Sequence, residues 1–150
     1  MEAKEITLLS FQIREDNFAV DAMQVLHILD YKTVRLTPVP NTPDHLLGII
    51  NLHGNIIPVA DMRVIMEKDD LSIGSDASIV VLNPEEQEDA VVGILVDMVK
   101  EVIETKEDQL QETVLEGKKG LIESFHGTLV FNNEFIHVID INNLIETIEK

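Results

Sequence analysis

Two stretches of this chain are written on one plan. Residues 46–67, LLGIINLHGNIIPVADMRVIME, lie over residues 125–146, FHGTLVFNNEFIHVIDINNLIE, at a constant shift of 79. Gly48 meets Gly127, Val59 meets Val138, Asp61 meets Asp140 and Glu67 meets Glu146, and the apolar positions coincide almost throughout. A weaker echo sets FAVD, ending at Asp21, over ILVD, ending at Asp97, at a shift of 76. Shifts this close imply one supersecondary unit used twice. Each half then reads as a set of short strands closed by a short helix. Small all-β units of this size close into barrels, because closure removes exposed sheet edges.

The local patterns support that reading. In residues 6–14, Leu9, Phe11 and Ile13 alternate with Ser10, Gln12 and Arg14, the period of a half-buried strand. Residues 15–17, EDN, read as a turn before a second strand at FAV. Three prolines in residues 36–48 make that segment extended loop, since proline fixes φ and removes a donor. GIINL and NIIPVA read as a hairpin around the His53-Gly54 bend, and Pro58 suggests a sheet edge or a bend. After Asp61 the period changes: Met62, Ile65 and Met66 form one face of a short helix, with Asp61 as its N-cap. Asp140 opens the same pattern, with Ile141, Leu144, Ile145 and Ile148 on one face. Residues 67–76 read as a linker, SIVVL and AVVGILV as strands, NPEEQED as an acidic loop, and 100–120 as a strand end followed by a polar excursion.

Composition narrows the function. The 150 residues allow one ordinary domain or two very small ones in contact, and 45% hydrophobic residues suffice for a core. A net charge of −17 disfavours nucleic-acid binding, which would crowd like charges against phosphates. It favours solubility, or a partner with basic patches. With no cysteine there is no disulfide framework and no thiolate zinc site. No leader pattern opens the chain, and no apolar run approaches the ~20 residues that span a bilayer. A cytoplasmic protein is expected.

No catalytic constellation emerges. The five histidines, His27, His45, His53, His126 and His137, lack i, i+4 partners, and no nucleophile elbow, P-loop or EF-hand spacing is present. GKKG, at 117–120, reads as a plain loop. The four recurring aspartates, Asp21, Asp61, Asp97 and Asp140, stand at matched places after strands, where caps or turns explain them. A non-enzymatic β protein is expected, with no catalytic residue, cofactor or metal. The competing reading is an enzyme or ligand-binding barrel built on Asp and His.

Four blocks carry a resemblance: FQIREDNFAVDAMQVLHIL, LTPVPNTPDHLLGIINLHGNIIPVADMR, VVGILVDMVKEVI and GLIESFHGTLVFNNEFIHVIDINNLIE. In order and spacing, over nearly the whole chain, they resemble the CheW family of bacterial chemotaxis coupling proteins. The resemblance implies a mainly β fold of two SH3-like five-stranded β-barrels packed together, with short helices. One domain spans 1–150, with a first-half barrel at roughly 15–67 and a second at roughly 77–150. The strand at 5–14 is assignable to either. The implied function is an adaptor that joins the cytoplasmic tip of methyl-accepting chemotaxis receptors to the regulatory domain of the histidine kinase CheA. It would work in the cytoplasm, recruited to membrane receptor arrays without inserting into the membrane. The alternative is a CheW-like adaptor of another pathway, such as twitching motility or development. A helix of the receptor would lie in an apolar groove between the barrels. The resemblance assigns Leu9, Val25, Ile28 and Val99 to that groove; the competing reading makes some of them core. His53 stands where the family usually has Arg. Arg is always charged and offers a fork of donors, which His does not. His53 is therefore either an altered partner contact or a plain turn residue.

Overall fold

The protein, described here as a computed structural model covering residues 4–66, 72–84, 90–111 and 125–149, is built of short strands in two sheets. The first half runs β1 (Glu5–Ile13), β2 (Asp16–Asp21), β3 (Val25–Asp30), β4 (Leu46–Leu52), β5 (Asn55–Asp61) and α1 (Met62–Ile65). The second half repeats the order: β6 (Ser78–Leu82), β7 (Val92–Val96), β8 (Met98–Lys106), β9 (Phe125–Phe131), β10 (Glu134–Ile139) and α2 (Ile141–Glu149). Linker residues 67–71, residues 85–89 of the acidic loop and the GKKG loop lie outside the described residues.

The sheets do not follow the halves. One sheet has the order β8-β1-β2-β10-β9 and the other β3-β6-β7-β5-β4. Each half thus lends its first hairpin to the other half's last three strands. The expected division into barrels at 15–67 and 77–150 is corrected accordingly: β2 belongs with β8–β10, while β6 and β7 belong with β3–β5. The joint is the same on both sides. β2 runs parallel to β10, with Ala19 beside Val138, and β7 runs parallel to β5, with Gly93 beside Val59. A parallel pair cannot be joined by a tight hairpin, so its partners must come from distant sequence.

The echo of the sequence is an echo of structure. β4–β5–α1 and β9–β10–α2 are the matched units. Both bulge at matched sites, between Leu46 and Gly48 and between Gly127 and Phe125. Beside each bulge a backbone bridge ties in the preceding loop: Thr37 N–H donates to Ile49 O (2.9 Å), and Gln111 N–H to Thr128 O (2.9 Å). Gly48 and Gly127 are required there. A Cβ at Gly48 would stand 2.5 Å from the Thr37 carbonyl oxygen, and one at Gly127 2.9 Å from that of Gln111.

Three apolar clusters hold the fold. Leu8, Ala19, Ile103, Leu129, Ile136 and Val138 fill one sheet's interior. Ile50, Ile57, Val59, Ile79, Val81 and Leu95 help fill the other's. The third and largest joins the two sheets, with Phe11, Phe18, Val20, Val80, Ile94 and Val96 meeting both helices. Strand alternation sorts the residues: Ala19 points into its own sheet's core, while Phe18 and Val20 point across. Ile141, Leu144, Ile145 and Ile148 of α2 all enter the joining cluster, as their spacing predicts.

Two local expectations change. β1 is buried on both faces over Leu8–Phe11, because Leu8 enters one apolar cluster and Leu9 and Phe11 another; Ser10, expected outside, is buried and donates its hydroxyl to Glu101 O at 3.0 Å. Pro58 is not at an edge, since β5 lies between β7 and β4. Pairing with β7 covers only Val59–Asp61, so the proline stands just outside that ladder.

Candidate functional site: an apolar face between two edge strands

The expected groove residues come from three strands. Leu9 of β1 is 4% exposed and belongs to the joining cluster, so its expected place as a groove contact is corrected to core. β1 has a neighbour on each side and contacts β7 of the other sheet, so the Leu9 side chain is enclosed. Val25 of β3 and Val99 of β8 are half-buried against the same cluster. Ile28 of β3 is 48% exposed.

The register explains the set. In an antiparallel pair, residues directly opposite share a face. Val25 stands opposite Leu82 and Ile28 opposite Val80, and both partners are in the joining cluster. Val99 stands opposite Phe11 and Val102 opposite Leu9, again members of that cluster. β3 and β8 are edge strands of their sheets. The apolar face between the sheets therefore continues outward along both edges. Val102, 59% exposed, was missed from sequence because the run KEVIETK reads as a polar strand end; the register with Leu9 is what reveals it. β3 itself was also unassigned: as an edge strand it lacks clean alternation.

A second kind of exposed apolar surface lies on the matched hairpins. Phe135 of β10, 66% exposed, stands directly opposite Val130 of the edge strand β9, 49% exposed. Ile56 of β5 is the counterpart of Phe135 at the 79-residue shift and is likewise exposed.

His53 lies at the tip of the β4–β5 hairpin. His53 and Gly54 both have positive φ, 52° and 86°, which suits a tight two-residue hairpin turn. Gly54 N–H donates to Asn51 Oδ1 at 2.9 Å and holds the bend. His53 is exposed, and its ring centroid lies 5.8 Å from that of His27 on β3. Two other histidines serve elsewhere. His45 is buried and donates from Nε2 to Ile148 O at 3.0 Å; His137 Nδ1 lies 3.0 Å from Thr128 Oγ1.

The four aspartates are structural. Asp21 accepts from Met23 N–H (2.9 Å), Asp61 from Arg63 N–H (2.9 Å) and Asp140 from Asn142 N–H (3.0 Å), each at a helical turn. Asp97 is a tie rather than a cap: it accepts from the Arg14 backbone N–H and lies 3.8 Å from its guanidinium. Asp61 also grips buried Arg63 through two charge-assisted bonds of 2.9 and 2.7 Å, while Arg63 Nη1 donates to Ser72 O at 2.7 Å. Among the described residues no helix is long and apolar enough to cross a membrane, and no group of three or more His, Asp or Glu is placed to hold a metal ion.

The comparisons agree with this architecture. A family model described as a CheW-like domain matches residues 7–149. A chemotaxis protein CheW from Thermotoga maritima is 34% identical over 149 residues, covering 97% of this chain and 91% of that protein. One from Klebsiella aerogenes is 28% identical over 141 residues, covering 94% and 82%. The crystal structure of the scaffolding protein TtCheW from Thermoanaerobacter tengcongensis superposes with a TM-score of 0.79 at 26% identity, covering 91% of this chain and 90% of that one. A chain matched over residues 7–149 by the family model, and over 91% of its length by a solved scaffolding protein, belongs to the CheW-like family of non-enzymatic chemotaxis scaffolding proteins.

Proposed function

We propose that this adaptor couples chemotaxis receptors to the kinase CheA through two separate surfaces. The receptor's helical tip lies along the apolar face between the sheets, contacting Val25, Ile28, Val99 and Val102. The observation that carries this reading is the register of β3 and β8, which extends a buried apolar cluster onto two edge strands. A helix docks by laying an apolar stripe into such a face. The kinase's regulatory domain, itself CheW-like, pairs barrel to barrel on the exposed hairpin carrying Val130 and Phe135. His53, at the other hairpin's tip, is exposed to a partner. Recruitment to membrane receptor arrays follows from the receptor contact, with no membrane insertion by this chain.

The test measures affinity for a receptor-tip fragment and, separately, for the kinase regulatory domain. Ile28→Glu places a charge on the exposed face while removing little core. It is expected to weaken receptor binding at least about tenfold, the effect of an interface residue worth more than ~1.4 kcal/mol, and to leave kinase binding unchanged. Unchanged receptor affinity in a folded Ile28→Glu protein would remove β3 from the receptor surface.

A further inference from the structure

We propose that His27 and His53 form a two-ligand site for a divalent first-row transition ion of the Zn2+ class. The fold, not the sequence, makes the pair: β3 and β4 are the two terminal strands of one five-stranded sheet, and the β4–β5 tip meets β3 across the seam. The sequence patterns point to no metal ligand because these residues lie far apart along the chain. The turn does not require an imidazole at 53. The matched hairpin puts Asn132 at the corresponding position, with φ 52° as in His53.

The geometry suits chelation. Zinc binds imidazole nitrogen at ~2.0–2.1 Å, which with ~1.1 Å from nitrogen to ring centre puts each centroid ~3.2 Å from the ion. Two such rings around a tetrahedral centre lie ~5.2 Å apart, and at a wider angle of ~130° they reach ~5.8 Å. The observed centroid separation is 5.8 Å, with the ring planes 50° apart rather than stacked flat. Both side chains are exposed, so rotation about χ2, a broad torsion, can aim a nitrogen of each ring at one point. Imidazole favours Zn2+, Cu2+ and Ni2+, whereas Mg2+ and Ca2+ prefer oxygen. The net charge of −17 raises the local concentration of any cation. The remaining coordination positions are left to water, consistent with no third His, Asp or Glu beside the pair among the described residues. A bound ion staples the two ends of the sheet, and binding only the folded state raises its melting temperature.

The experiment titrates the metal-stripped full chain with ZnCl2, by calorimetry and by thermal melting. The variants are His27→Ala, His53→Asn and the double variant; Asn preserves the turn, as Asn132 does in the matched hairpin. Expected are one equivalent bound by the unaltered protein, a rise in melting temperature with zinc, and loss of at least about tenfold in affinity for each single variant, since losing even an outer-shell partner costs 10–100-fold. The double variant should bind no more weakly than either single one, because one imidazole alone does not chelate. A millimolar Mg2+ background should leave the zinc isotherm unchanged. Equal zinc affinity in all proteins, no zinc binding by the unaltered protein, or displacement by Mg2+ would each overturn the site, the last by assigning the binding to surface carboxylates.

Discussion

Arg63 is the residue whose burial most needs explaining. Its side chain is 2% exposed, yet it carries a charge. Asp61 answers that charge with both carboxylate oxygens and caps α1 through the Arg63 backbone N–H. Arg63 also reaches Ser72 O, and Arg14 Nη2 donates to the same carbonyl at 2.6 Å, so one carbonyl of the linker gathers two arginines. Breaking a buried pair strands the remaining charge, at a cost of about 3–5 kcal/mol, whereas removing both charges together is far milder. Arg63→Met should therefore lower stability by about 3–5 kcal/mol in a urea titration. Adding Asp61→Asn, which keeps a capping oxygen without the charge, should recover part of that loss. A double variant as unstable as the sum of the singles would show that the charge pairing is not the reason.

At the scale of elements, the matched hairpins share a frame and differ in their exposed faces. β4–β5 turns on His53-Gly54 and β9–β10 on Asn132-Asn133, all four with positive φ. Both bulge at the same place and both end in an aspartate-capped helix. The second hairpin alone opposes two exposed apolar side chains, Val130 and Phe135. Exposed apolar groups of this size mark contact surfaces. Phe135→Asp is expected to weaken kinase-domain binding at least about tenfold, as loss of an interface aromatic does, with receptor binding unchanged. Because Phe135 is mostly solvated, the unfolding free energy should stay within the range of ordinary surface changes, about ±0.5 kcal/mol. A large fall in stability with normal binding by the folded fraction would make Phe135 a support for the edge strand instead.

For the whole molecule, the exchange of hairpins is the governing fact. Neither half contains a complete sheet: residues 5–66 hold β1 and β2 for one and β3–β5 for the other. The joining cluster draws on both halves and both helices. A chain cut after Met66 should therefore yield two fragments that are unfolded alone and regain sheet and a cooperative transition on mixing. Circular dichroism of each fragment and of the equimolar mixture reads this directly. A first fragment that unfolds cooperatively by itself would mean that the exchange is not obligatory.

Features that depend on near neighbours and on repetition are legible in the residues alone. The 79-residue echo, the hairpin at His53-Gly54, the capped helices after Asp61 and Asp140 and the apolar stripe of α2 are all local chemistry, set by turn residues, caps and period. The family resemblance rests on the same local blocks. Which strands share a sheet is not legible there, because strand pairing joins residues that no local period relates. That pairing put Leu9 in the core and Val102 on the exposed face, made a strand of Val25–Asp30 and set Pro58 just outside the β5–β7 ladder. It also brought His27 to His53, a contact between the two ends of one sheet that exists only once the strands between them are in place.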